Sequence, residues 1–112
     1  MERKAHENLD AARALLALDE PCTNAATSRA YYAAYQACWA LMADRGHQPP
    51  TTERGVYFSH KELPELARLV GVLDDEQSER LEFLEAQRVV ADYFPEDITA
   101  RGASECVESA EL

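Results

Sequence analysis

Apolar residues recur every three to four positions along most of the chain, and the recurrence restarts after each proline or glycine break. That period belongs to the α-helix. Ala5, Leu9, Ala12 and Leu16 give one stripe and predict a helix from Glu2 to Leu18. Glu2, Glu7 and Asp10 suit its positive N-terminal end, and Pro21 stops it. The second stretch, from Asn24 to Arg45, gives the strongest helix signal. Its alanines favour helix intrinsically, with Asn24 read as N-cap and Gly46 as the residue beyond the C-terminus. Tyr31, Tyr35, Cys38 and Met42 form one stripe, and Tyr32 and Trp39 extend the apolar surface around most of the girth. A helix of that kind is buried on several sides, so this one is expected at the centre of a bundle or at a dimer contact.

Residues 46–60, with Pro49, Pro50 and Gly55, read as a loop that is long for a compact helical domain. A third helix is expected from Ser59, where Ser59 and Glu62 have capping-box spacing. Leu63, Leu66, Leu69 and Val70 are its expected apolar face, with Pro64 near its start and Gly71 weakening its end. A fourth is expected from Asp75 to Phe94. Leu81, Leu84 and Ala91, and also Phe83, Val90 and Phe94, are expected inward, and Pro95 ends it. The tail from Glu96 to Leu112 reads as a short, partly frayed closing helix with Ile98, Ala103, Val107 and Ala110 on its stripe, interrupted by Gly102. No strand-like alternation of useful length is present. The fold class is all-α, a four- to five-helix up-and-down bundle with mostly antiparallel neighbours.

Composition narrows the picture. The chain has 112 residues, one domain (1–112) by length, and its single core is marginal unless a second copy packs against it. No apolar run is long enough to span a bilayer and no leader pattern opens the chain, so a cytoplasmic protein without a membrane partner is expected. Acids outnumber bases by 21 to 11, for a net charge of −10. Such a surface repels phosphate backbones and disfavours nonspecific nucleic-acid binding, but it is compatible with a local basic cleft or a basic protein partner. Cys22, Cys38 and Cys106 are odd in number and widely spaced, which argues against a disulfide framework and a zinc site. Cys38, mid-helix among alanines, reads as a small buried hydrophobe. No cofactor is implied.

The candidate chemistry lies on the fourth helix. Arg88 falls near Leu81, Leu84 and Ala91 on one face, where the pattern asks for a hydrophobe. Burying a guanidinium without a partner is expensive. Asp92, four residues on, is the nearest partner. Tyr93 lies roughly 140° round the helix from Arg88. The plain alternative is a helix salt bridge worth a few tenths of a kcal/mol. His6, His47 and His60 lie on different elements without metal-ligand spacing. His60 stands where the long loop meets the third helix. It reads either as an ordinary first-turn histidine or as part of the site.

Two stretches together resemble a known family. The run Ser28-Arg29-Ala30-Tyr31-Tyr32-Ala33-Ala34-Tyr35-Gln36-Ala37, followed by Arg88-Val89-Val90-Ala91-Asp92-Tyr93, resembles the HEPN domain (higher eukaryotes and prokaryotes nucleotide-binding), in its small stand-alone bacterial and archaeal form. The resemblance implies a helical bundle that forms homodimers, with the arginine motifs facing a shared cleft. It also implies pairing with a minimal nucleotidyltransferase in a toxin–antitoxin-like unit. Several members are metal-independent ribonucleases with an R-x4-6-H motif, and in some the nucleotidyltransferase adds AMP to a nearby tyrosine. Here the histidine position falls on Tyr93, no histidine follows Arg88, and the second tyrosine of the nuclease pattern falls on Pro95. A phenol with an ordinary pKa near 10 is a poor base at neutral pH. Neither the nuclease pair nor the modified tyrosine carries over.

The first functional expectation is therefore a binding module that engages a nucleotidyltransferase, with a nucleotide or RNA as further ligand, through Arg88, Asp92, Tyr93, His60 and Tyr31. The second is a diverged ribonuclease toxin in which Arg88 stabilises developing phosphorane charge and Tyr93 or His60 carries the proton. The third is a structural or assembly role in which Arg88 and Asp92 lock a dimer.

Overall fold

The computed structural model describes residues 1–111. The helices are α1 (Glu2–Leu16), α2 (Thr23–Asp44), α3 (Leu63–Leu69), α4 (Asp75–Tyr93) and α5 (Ala100–Ala110). Two-residue strands β1 (Thr51–Thr52) and β2 (Gly55–Val56) pair antiparallel between α2 and α3. The segment read as an irregular loop thus contains a small hairpin. Pairs that short carry no alternation for a sequence pattern to show.

α2 is the central helix, as its apolar girth predicts. Ala26, Thr27, Ala30, Tyr31, Ala33, Tyr35, Cys38 and Met42 are buried along it, and it packs against α1, α4 and α5. Its alanines leave little side chain in the way of close helix approach. α4 runs antiparallel to α2, since Ser28, early in α2, reaches Asp92 at the end of α4. Asn8 of α1 donates to Gln36 of α2, and α5 starts beside the start of α2, where Asn24 meets Asp97 and Ile98. α1 buries Ala5 and Ala12, with Leu9 and Leu16 packed against the core. It ends two residues before the expected Leu18, which is exposed.

Asn24 is not the N-cap of α2. Cys22 holds that place without a side-chain cap. Asn24 instead donates to Asp97 and accepts from the Ile98 backbone N–H, each at 2.9 Å, and so ties α2 to the approach to α5. Gly46 follows α2 in the left-handed region at φ 80°, as expected.

α3 departs most from expectation. It starts at Leu63, and Ser59 makes no side-chain cap; only its carbonyl accepts, from the Leu63 N–H. Pro64 is the physical reason, since proline belongs in the first turn. The helix is then only two turns long and buries Leu63, Pro64 and Ala67. Leu66, Leu69 and Val70 are exposed rather than inward, Leu69 at 68%. α4 carries a true capping box: the Asp74 side chain accepts from the Gln77 N–H at 2.8 Å and the Gln77 side chain accepts from the Asp74 N–H at 3.0 Å. Its buried stripe is Ser78, Leu81, Leu84 and Arg88. Phe83 lies off that stripe and is exposed, and Ala91 and Val90 are half-buried. Phe94 is also exposed; it is extended at the helix end because Pro95 follows.

In α5 the Thr99 side chain accepts from the Gly102 N–H at 2.9 Å. Gly102 therefore sits within the first turn and does not interrupt the helix. A Cβ there would stand 3.1 Å from the Thr99 hydroxyl oxygen. Ala103, Cys106 and Val107 form the buried stripe. Cys38 and Cys106 are both buried and free, and burial pushes their thiols up to about 12 and about 11. Both are therefore protonated at neutral pH. Among the described residues no helix is long and apolar enough to cross a membrane.

Candidate functional site

α4 delivers Arg88 to the face of α2, one turn beyond Leu84 on the buried stripe. Only 9% of its side chain is exposed. Its burial is compensated from both directions along its own helix. Glu85, three residues back, accepts from an Arg88 terminal nitrogen at 2.7 Å. Asp92, four residues on, lies 3.7 Å from the other terminal nitrogen. α2 supplies aromatic faces: the guanidinium carbon is 5.2 Å from the centre of the Tyr31 ring and 5.9 Å from that of Tyr32, within cation–π range. Burial works against the arginine's charge, but the Glu85 carboxylate and the Tyr32 and Tyr31 hydroxyls outweigh it and raise its pKa. Its buried Nε alone has no partner.

Tyr31 connects Arg88 to the segment before α3. It is fully buried, and its hydroxyl oxygen lies 2.6 Å from Nδ1 of His60. Burial, and then the Glu85 carboxylate, push the phenol pKa far above its ordinary value, so Tyr31 stays protonated. Burial, and then the Arg88 charge, lower that of His60. The pair is therefore a neutral imidazole hydrogen-bonded to a protonated phenol. Tyr35 completes the group: its ring centre is 4.3 Å from that of His60, and its hydroxyl donates to the Phe58 carbonyl at 2.7 Å. Burial pushes the Tyr35 pKa up to about 12.

Of the residues singled out from sequence, the structure brings Arg88, Asp92, Tyr31 and His60 together. It leaves Tyr93 apart, 73% exposed at the end of α4. Four further members were not anticipated: Glu85, Tyr32, Tyr35 and Ser28, whose hydroxyl lies 3.5 Å from Asp92. Their signal was present in helical spacing. Glu85 is three residues from Arg88, and Ser28, Tyr31, Tyr32 and Tyr35 lie three to four apart on α2. Beside the cluster is an open hollow of about 380 Å³ lined by Asn24, Ala25, Ser28, Arg29, Tyr32 and Asp92. No group of three or more potential metal ligands is found among the described residues.

Within this cluster one guanidinium faces two carboxylates beside a neutral histidine, so the arginine's charge is already matched inside the chain. The fold and the site together define an all-helical bundle with an arginine–tyrosine–histidine cluster between its central helix and the motif helix. A family model described as the HEPN domain matches residues 2–112. The chain belongs to the HEPN domain family. Searches of curated proteins and of solved structures returned no match.

Proposed function

We propose that this HEPN chain is a cytoplasmic, homodimeric binding module whose partner is a minimal nucleotidyltransferase, and that the surface around Arg88 and Asp92 forms part of the binding site. The observation that carries this reading is the internal pairing of Arg88 with Glu85 and Asp92. A phosphate entering the cluster meets an arginine already neutralised and two carboxylates that repel it. That arrangement suits a fixed recognition element better than a centre that must gather developing negative charge. The hollow lined by Ser28, Arg29, Tyr32 and Asp92 gives a partner polar groups to engage. Tyr93 and Phe94, exposed at the end of α4, give a second copy or a partner apolar surface.

The test is co-expression of the tagged chain with a minimal nucleotidyltransferase encoded beside it, with RNA cleavage assayed in parallel. A stable complex and no Arg88-dependent cleavage are expected. Absence of a complex, together with cleavage that Arg88→Ala abolishes, overturns the reading.

One observation favours a ribonuclease as the second reading. His60, from a different element, is joined through Tyr31 to Arg88 and is neutral at pH 7, as a general base must be. On that reading His60→Ala and Arg88→Ala each abolish cleavage, while Tyr93→Phe leaves it intact.

A further inference from the structure

The segment between β2 and α3 is fastened to α2 by two tyrosines. Tyr35 donates to the Phe58 carbonyl, and two residues later the Tyr31 hydroxyl meets His60 Nδ1. Tyr31 is fully buried, and its hydroxyl has no other hydrogen-bond partner among the described residues. The hydroxyl proton is therefore satisfied only if Nδ1 is bare, which places the ring proton of a neutral His60 on Nε2. The groups facing this ring are Tyr31, Tyr32 and Tyr35 from α2 and Arg88 and Glu85 from α4. Its chain neighbours Lys61 and Glu62 are exposed.

We propose that His60 is a proton-operated latch: a proton gained at Nδ1 breaks the bond to Tyr31, releases residues 59–62 from α2 between the buried anchors Phe58 and Leu63 and uncovers the Tyr31–Arg88 cluster. The proposal goes beyond the binding role, because it concerns when the cluster is covered rather than what it binds.

A doubly protonated imidazole has two donors and no acceptor. It leaves the Tyr31 hydroxyl proton without a partner in a buried place. It also brings a second cation toward Arg88, and the nearest carboxylate, Glu85, is already engaged with that arginine. Release removes both penalties, since a solvated His60 is hydrated and the Tyr31 hydroxyl reaches water. The sign follows from the lowered pKa of the latched histidine. The latched form is fully favoured above the ordinary histidine value of about 6.5. It loses about tenfold in its equilibrium per pH unit below that, until the latched value is reached.

Nitrogen-detected NMR of the histidine rings gives the first measurement. At pH 7.5 His60 is expected as the Nε2–H tautomer, with a midpoint below the ordinary histidine value of about 6.5. Hydrogen exchange gives the second. The Leu63 amide donates to the Ser59 carbonyl at 3.0 Å and reports on the segment. Corrected for intrinsic rates, its exchange is expected to quicken up to about tenfold between pH 6.5 and 5.5, with the α4 core amides Leu81 and Leu84 unchanged. In His60→Asn, whose side-chain Oδ1 takes the place of Nδ1 and accepts from Tyr31 but does not titrate, that acceleration disappears. Tyr31→Phe, which removes the donor, exchanges fast at Leu63 already at pH 7.5. A proton on Nδ1 at pH 7.5, a midpoint at or above the ordinary histidine value of about 6.5, equal acceleration in His60→Asn, or wild-type exchange in Tyr31→Phe overturns the latch.

Discussion

Arg88 sits where Leu81 and Leu84 lead the eye to expect a third aliphatic residue, and its energetics follow from that position. Its side chain is 9% exposed and that of Glu85 19%, so neither charge has full access to water. Deleting one member of such a pair strands the other, which costs more than the pair contributes when intact. Arg88→Met keeps much of the volume and leaves Glu85 unpaired. A loss of about 2 to 3 kcal/mol is expected, toward the low end for buried pairs because some water reaches Glu85. Arg88→Met with Glu85→Met removes both charges and should recover most of that loss. Urea denaturation of the two variants decides the matter. A change below about 0.5 kcal/mol in Arg88→Met would place the pair among ordinary surface bridges. The misfit of Arg88 to its stripe was visible in the sequence, and so was Asp92. The tighter partner, Glu85, was equally near but passed over, because a helical arginine can turn toward a carboxylate on either side and spacing does not say which. Tyr93 shows the same limit from the other direction. Adjacent in the motif, it points away from the cluster because one residue along a helix is a turn of about 100°.

At the scale of the element, helix starts separate spacing from geometry. Ser59-x-x-Glu62 and Asp74-x-x-Gln77 have the same spacing, yet only the second forms a capping box. Pro64 fixes the start of α3 at Leu63, which leaves Ser59 a full turn outside the helix. The acids at 74–76 suit the positive end of the α4 dipole, and Asp74 does more than that by closing the reciprocal cap. Asp74→Ala should destabilise the protein by about 1 kcal/mol. Ser59→Ala should change stability by less than about 0.5 kcal/mol, the usual range for a side chain with no special contact. Equal effects in thermal or chemical denaturation would contradict this assignment of the caps. α2 and α4 were legible because their stripes are long. α3 was not, because two turns supply too few repeats to fix a phase, and Leu66, Leu69 and Val70 were assigned to a face that the chain leaves in water. Phe58 is the other omission. It is a core residue against Trp39, ring centres 5.3 Å apart, carried by an irregular segment where no periodicity exists to reveal it.

At the scale of the whole molecule, charge constrains function more firmly than fold does, since a helical bundle of this kind is a scaffold and its surface decides what approaches it. The net charge is −10, and many of the cations are already matched. Arg3, Arg13, Arg68, Arg80 and Arg101 each face a carboxylate at the surface, and Arg88 faces two beneath it. Arg29, beside the hollow next to the cluster, is bonded to the neutral Asn8 amide and so remains a cation on offer. Lys4, Arg45, Arg54 and Lys61 also face no carboxylate among the described residues, but only Arg29 borders the hollow. Each cation neutralises at most one phosphate, which contributes about 0.7 to the salt slope of single-stranded binding. A single chain of this composition should therefore bind a labelled single-stranded RNA more weakly than about 10⁻⁴ M at physiological salt, the weak end of nonspecific association. Where the strand engages the hollow, and so Arg29 alone, the salt slope should be near one rather than several. Fluorescence anisotropy across a salt series measures both quantities. Tight binding with a steep slope would require a basic surface that one chain does not present, and would locate it where two copies meet. In that event Arg29→Ala, which removes one cation per chain, should lower the slope by about 0.7 for each copy in contact with the strand. An unchanged slope would show that the positive surface lies elsewhere and that Arg29 takes no part in it.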